Sequence, residues 1–130
     1  MATRSTIWIK KENGKYDGIY CHWNGSPSNN GRILVEYYHD IEKVKGLIEL
    51  GSISSLHSEI TCPEGHSFDN PVNGYVVAYH RDRGEELDIY RDIPNNKLKG
   101  YFEEYNYFFV NGEWTLKIGT KFFPVMDFLN

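Results

Sequence analysis

Thr6-Ile7-Trp8-Ile9-Lys10 alternates apolar and polar positions, the two-residue period of a strand. Asn13-Gly14 follows with the positive φ preference of a tight turn, so residues 16–23 read as the returning arm of a hairpin. The stretch Asn24-Gly25-Ser26-Pro27-Ser28-Asn29-Asn30-Gly31 has no side chain to bury and is expected to be an exposed loop. Ile33, Leu34, Tyr37, Ile41, Val44 and Ile48 then recur at helical spacing, which predicts one or two helices over about 31–50. His39-Asp40 marks a break, with Asp40 capping the second helix and Gly51 ending it.

Pro63, Gly65, Pro71 and Gly74 punctuate an irregular middle segment. Order returns at Tyr75-Val76-Val77-Ala78-Tyr79-His80, whose β-branched and aromatic content predicts a central strand. A polar turn, Arg81-Asp82-Arg83-Gly84-Glu85-Glu86, follows it, and residues 87–90 suit a further strand. Residues 97–104 fit a short helix or an extended segment equally well. Tyr107-Phe108-Phe109-Val110, Asn111-Gly112 and Trp114-Thr115-Leu116-Lys117-Ile118 repeat the hairpin pattern, and Pro124 opens a last short helix. The expected fold is α+β: a mainly antiparallel sheet with N- and C-terminal hairpins, helices packed on one face, and the other face wet.

The length of 130 residues suits a single domain, expected to span 1–130. No run approaches the ~20 apolar residues that span a bilayer, and Met1-Ala2-Thr3-Arg4-Ser5 precedes no apolar export signal. A cytosolic protein with no membrane association is the expectation. Two cysteines, Cys21 and Cys62, are too few for the framework of a small secreted module, so both are expected as thiols. The formal charge of −4, with acids interleaved among Lys and Arg, argues against general nucleic-acid binding and against imitation of DNA.

Two segments could bind a ligand. In Tyr20-Cys21-His22-Trp23-Asn24-Gly25, strand alternation places Cys21 and Trp23 on one face and His22 on the other, the pattern of two core residues. The alternative is that His22 and Trp23 wall a pocket in which a nucleobase or other flat ligand stacks on the indole. In the charged turn, Arg81 and Arg83 either pair locally with acids or grip a phosphate or carboxylate, with His80 as a titrating neighbour. The candidate ligand-binding residues are thus His22, Trp23, His80, Arg81 and Arg83.

Cys62 and His66 would join Cys21 and His22 in a Cys2His2 zinc set only if the strand broke, since adjacent strand residues point to opposite faces. No metal, cofactor or catalytic set is expected: phosphate loop, dinucleotide fingerprint, nucleophile elbow and zinc-protease helix are all lacking. Ten tyrosines, seven phenylalanines and three tryptophans exceed what one small core buries in full. The surplus at Tyr101, Phe102, Tyr105, Tyr107, Phe108, Phe109, Phe122 and Phe123 is expected to include a surface patch for self-association or for a partner.

The opening Ala2-Thr3-Arg4-Ser5-Thr6-Ile7, the segment Ile19-Tyr20-Cys21-His22-Trp23-Asn24-Gly25, the run Leu47-Ile48-Glu49-Leu50-Gly51-Ser52-Ile53-Ser54-Ser55-Leu56 and Ala78-Tyr79-His80-Arg81-Asp82-Arg83-Gly84-Glu85 resemble a family of small accessory proteins of tailed bacteriophages and prophages. The resemblance runs to about residue 86 and is looser beyond. In that family the position of Asn24 is commonly Asp, so this chain lacks a carboxylate that a metal or acid–base role would use. No catalytic residue carries over. The resemblance implies a protein of the bacterial host cytoplasm that counteracts a host defence system, by binding a host protein or by sequestering a nucleotide-like anionic signal. Two other readings remain open: a small hydrolase or nuclease using His22, His66 and His80, and a structural or regulatory phage protein without a ligand site.

Overall fold

The computed structural model describes residues 2–129. In chain order the elements are β1 (Ser5–Lys10), β2 (Tyr16–Cys21), α1 (Arg32–Tyr37), α2 (Ile41–Glu49), β3 (Ile53–Ser55), β4 (Val77–Ala78), α3 (Tyr79–Arg83), β5 (Tyr90–Ile93), β6 (Tyr105–Val110), β7 (Glu113–Ile118) and β8 (Lys121–Pro124). A π-type turn spans Pro27–Gly31, and 3-10 segments cover Asn95–Tyr101 and Val125–Phe128. The strands form one sheet in the order β4-β3-β2-β1-β6-β7-β8, with β5 attached to β2. β2 shares its outer edge: Tyr16 and Gly18 pair with β5, and Cys21 pairs with Ile53 of β3. β1–β6 and β2–β3 are parallel and the other pairs antiparallel, so the fold is α+β with a mainly antiparallel mixed sheet.

Both expected terminal hairpins form. Asn111 and Gly112 sit at φ +53 and +78, the backbone a two-residue turn requires. The helical stripe breaks after Tyr38, and the Asp40 carboxylate accepts from the Glu42 N–H at 2.9 Å to start α2. Asp40→Ala should therefore cost about 1 kcal/mol of stability, read as a lower urea midpoint with an unchanged m-value.

The two sheet faces carry separate apolar clusters. Ile7, Ile9, Ile19, Cys21 and Ile53 project to the helix side, where Leu34, Tyr38, Val44, Leu47 and Ile48 cover them. On the reverse side Trp8, Tyr16, Ile93, Leu98 and Phe108 form a second cluster beneath the 3-10 segment, with Tyr90, Tyr101 and Phe102 packed against it. This face was expected to be wet; aromatic side chains on β1, β2 and β6 close it instead.

Two more expectations are corrected. Residues 75–80 do not make a central strand: Val77–Ala78 pairs at the sheet edge, and Tyr79 already begins α3. The Val76 N–H is taken by Glu59 O and the Ala78 N–H by the Asp82 carboxylate, so the strand ends early. The loop of residues 24–31 is not wholly exposed either, because Asn30 turns inward and donates to Ser5 Oγ, Cys21 Sγ and Trp23 O. Among the described residues, no helix is long and apolar enough to cross a membrane.

Candidate functional site

Residues 79–83 wind into α3, and Gly84 closes it at φ +75. Arg81 faces inward. Its Nε and Nη2 donate to the Asp82 carboxylate at 2.8 and 3.0 Å, Nη1 to Ile60 O at 2.6 Å, and Nη2 also to Val76 O at 2.8 Å. Burial would raise the Asp82 pKa, but Arg81 and the Ala78 N–H hold it below the usual carboxylate range. Val72 N–H donates to His66 Nδ1, which leaves the proton on Nε2, shared between Val76 O and Asp82 Oδ2 at 3.2 and 3.3 Å. Arg83 pairs with Glu85 and lies over the rings of Phe68 and Tyr79, at 4.2 and 5.2 Å from their centroids. His80 is exposed, its Nδ1 held at 2.6 Å from Glu85 O.

At the other candidate segment, Cys21 is fully buried, and burial pushes its thiol up to about 11. Trp23 is 44% exposed rather than core, because β2 ends at Cys21 and strand alternation stops there. His22 is half-buried, with Nδ1 2.7 Å from Tyr20 Oη and its ring edge-on to the indole. The segment is tied down by His22 N–H to Ile53 O and Trp23 N–H to Ser54 O.

β3 separates the two segments, since Ile53 pairs with Cys21 on one side and with Ala78 on the other. Two strand spacings put their backbones about 10 Å apart. Among the described residues, no hydrogen bond, ion pair or ring contact joins His22 or Trp23 to His80, Arg81 or Arg83. His22, His66 and His80 sit in three separate networks. Cys62 Sγ approaches Asp82 Oδ1 at 3.9 Å, not the His66 ring, and no group of three or more His, Cys, Asp or Glu is placed to hold a metal ion among the described residues.

A different region has the shape of a binding site. The β6–β7 ladder stops at Tyr107↔Leu116, while β6 continues against β1 to Tyr105 and β7 continues against β8 to Ile118. The two strands therefore part, and a cleft of about 970 Å³ opens in the fork. Leu98, Phe102, Leu116, Ile118 and Phe128 give it apolar walls, with Lys99, Lys117, Glu103 and Glu104 around them. Its dimensions are those of a ligand-sized cleft. Beside it, Ile118, Phe122, Phe123 and Met126 are exposed, at 51, 38, 38 and 60%. The aromatic surplus pointed to Phe102, Phe122 and Phe123, but Ile118 and Phe128 become visible only once the strands are seen to diverge.

Compared with protein-family models, curated proteins and solved structures, the chain matches none.

Proposed function

We propose that this chain is a non-catalytic binding protein that contacts its partner through the forked cleft between β6 and the β7–β8 hairpin. The resemblance to phage accessory proteins extends the proposal to a partner in the bacterial cytoplasm, a host defence protein whose action the chain blocks. The observation that carries the reading is the cleft itself: an apolar recess at the end of the sheet, continuous with exposed Ile118 and rimmed by charged side chains. The version in which the arginine bend sequesters a nucleotide has weaker support, because Arg81 is committed to Asp82 and two carbonyls and Arg83 to Glu85.

Ile118→Asp and Phe128→Asp place a charge at partly exposed wall positions and should lower stability by about 1–2 kcal/mol. Both variants are expected to keep the parent circular dichroism, with a melting temperature lowered by a few degrees. Both should lose the ability to restore growth of a phage restricted by the targeted defence system, and to co-purify with the host protein. Retention of both activities in the folded variants would remove the cleft from the function. Calorimetry with cyclic nucleotides and ADP-ribose derivatives provides the contrasting arm: heat that Arg83→Ala abolishes would move the site to the bend.

A further inference from the structure

The fork opens in the plane of the sheet and has walls on both faces. Pro27, Ile118 and Phe128 line it on the helix side, and Leu98, Lys99 and Lys117 on the reverse side. Main-chain groups face into it as well. Counted back from the Asn111-Gly112 turn, the residues that point across the hairpin are Val110 and Glu113, Phe108 and Thr115, then Asn106 and Lys117. The Tyr107↔Leu116 pair uses the Asn106 N–H and the Lys117 C=O. The reciprocal bond is not made, so the Lys117 N–H is left at the apex of the fork. Nearer the mouth, on the same edge of β6, Glu104 makes no backbone hydrogen bond through its N–H or its C=O among the described residues.

Charge around the fork is uneven. Glu104 is drawn toward β1, where its Oε1 accepts from the Arg4 N–H at 3.4 Å. Glu103 lies on that side too: burial raises the Tyr20 and Tyr90 phenols, on β2 and β5, and the Glu103 charge adds to the rise. Lys99 and Lys117 form no ion pair among the described residues, and the Lys117 Nζ rests 4.3 Å from the centre of the Phe122 ring. The reverse side of the fork thus carries unmatched positive charge, while the helix side is apolar.

Resting on the reading of this cleft as the contact site, we propose that its occupant is an extended segment of the partner protein, with alternating apolar and acidic side chains, that enters the fork as an added strand. Main-chain bonds to the Lys117 N–H and to Glu104 hold it in the plane of the sheet. Its apolar side chains face Pro27, Ile118 and Phe128, and its carboxylates face Lys99 and Lys117. Successive side chains of a strand point to opposite faces, so a slot with one apolar and one basic side selects that alternation.

The probe is an end-blocked, fluorescein-labelled hexapeptide of alternating glutamate and isoleucine, titrated with the full chain and followed by fluorescence polarisation. Saturable binding is expected. Lys99→Glu, at an exposed position, should weaken it by about tenfold or more, and a peptide with lysine in place of glutamate should show the opposite preference between parent and variant. N-methylation of the two central peptide amides should also cost about tenfold or more, because it removes main-chain donors. A peptide that does not saturate by millimolar concentration overturns the proposal. Binding indifferent to Lys99→Glu overturns it as well, and binding indifferent to N-methylation replaces the added strand with side-chain docking alone. If the peptide fails while Ile118→Asp still blocks capture of the host protein, the cleft remains the contact site and only its occupant is wrong. Full capture by Ile118→Asp removes both.

Discussion

Trp8→Ala is expected to lower stability by about 3–5 kcal/mol, a large share of the about 5–15 kcal/mol that holds a domain folded. The indole is fully buried, stacks on Phe108 at 5.8 Å with an interplanar angle of 7°, and also meets Tyr90 and Tyr101. Its Nε1 donates to Thr6 Oγ1 at 2.7 Å, and Thr6 in turn donates to Asn106, so the substitution disturbs a buried polar chain as well as a packed ring. The ring lies directly over Gly18 on β2: a Cβ built there would sit 2.3 Å from Trp8 Cε3 and 2.4 Å from Cδ2. Gly18→Ala should therefore destabilise by overpacking, by about 1–3 kcal/mol. In the Trp8→Ala background the same change should cost far less, because the obstacle is gone. Urea denaturation of the four proteins checks both claims, and strictly additive changes would contradict the steric account.

Asp82→Ala carries the second large effect, about 3 kcal/mol or more, because it removes one member of a buried ionic network. The Asp82 carboxylate is 1% exposed and accepts from Arg81, the Ala78 N–H and His66. Its loss strands three donors at the junction of β4 and α3. The folded pKa of Asp82 lies below its unfolded value, so its stabilising contribution is complete at neutral pH and lost as pH falls through the folded value. Parent and variant should therefore differ most above the ordinary carboxylate range and converge in acid. Thermal denaturation over a pH series measures this, and a constant difference down to the most acidic point would exclude the ion pair as the cause.

What the sequence showed well was local. Asn111-Gly112 announces a hairpin because few other pairs hold positive φ at both positions, at Asn13-Gly14 the glycine alone takes it, and Asp40 announces a helix start because it can accept from its own first turn. What it hid depends on distant partners. Strand alternation assigned Trp23 to the core with Cys21, yet alternation has force only while the strand lasts, and β2 stops at Cys21. The pattern at Arg81 and Arg83 reads the same whether the guanidinium groups point outward or inward. Arg81 turned inward because two carbonyls, at Ile60 and Val76, and one carboxylate converge on it. The fork cleft was invisible for a similar reason: β6 leaves β7 at Tyr107 while staying on β1, and β7 stays on β8, pairings that neither strand's own sequence records.

The parallel pairing of β1 with β6 joins residues 100 positions apart, Ser5 with Tyr105 and Thr6 with Asn106. On a ribosome adding about 5–20 residues per second, β1 emerges roughly 5–20 s before the strand that completes its second side. During that interval Ile7, Trp8 and Ile9 can zip to β2 on one flank only, leaving the most apolar strand of the nascent chain open to chaperones or to aggregation. Codon usage and elongation rate over the middle of the message should accordingly govern the yield of native protein.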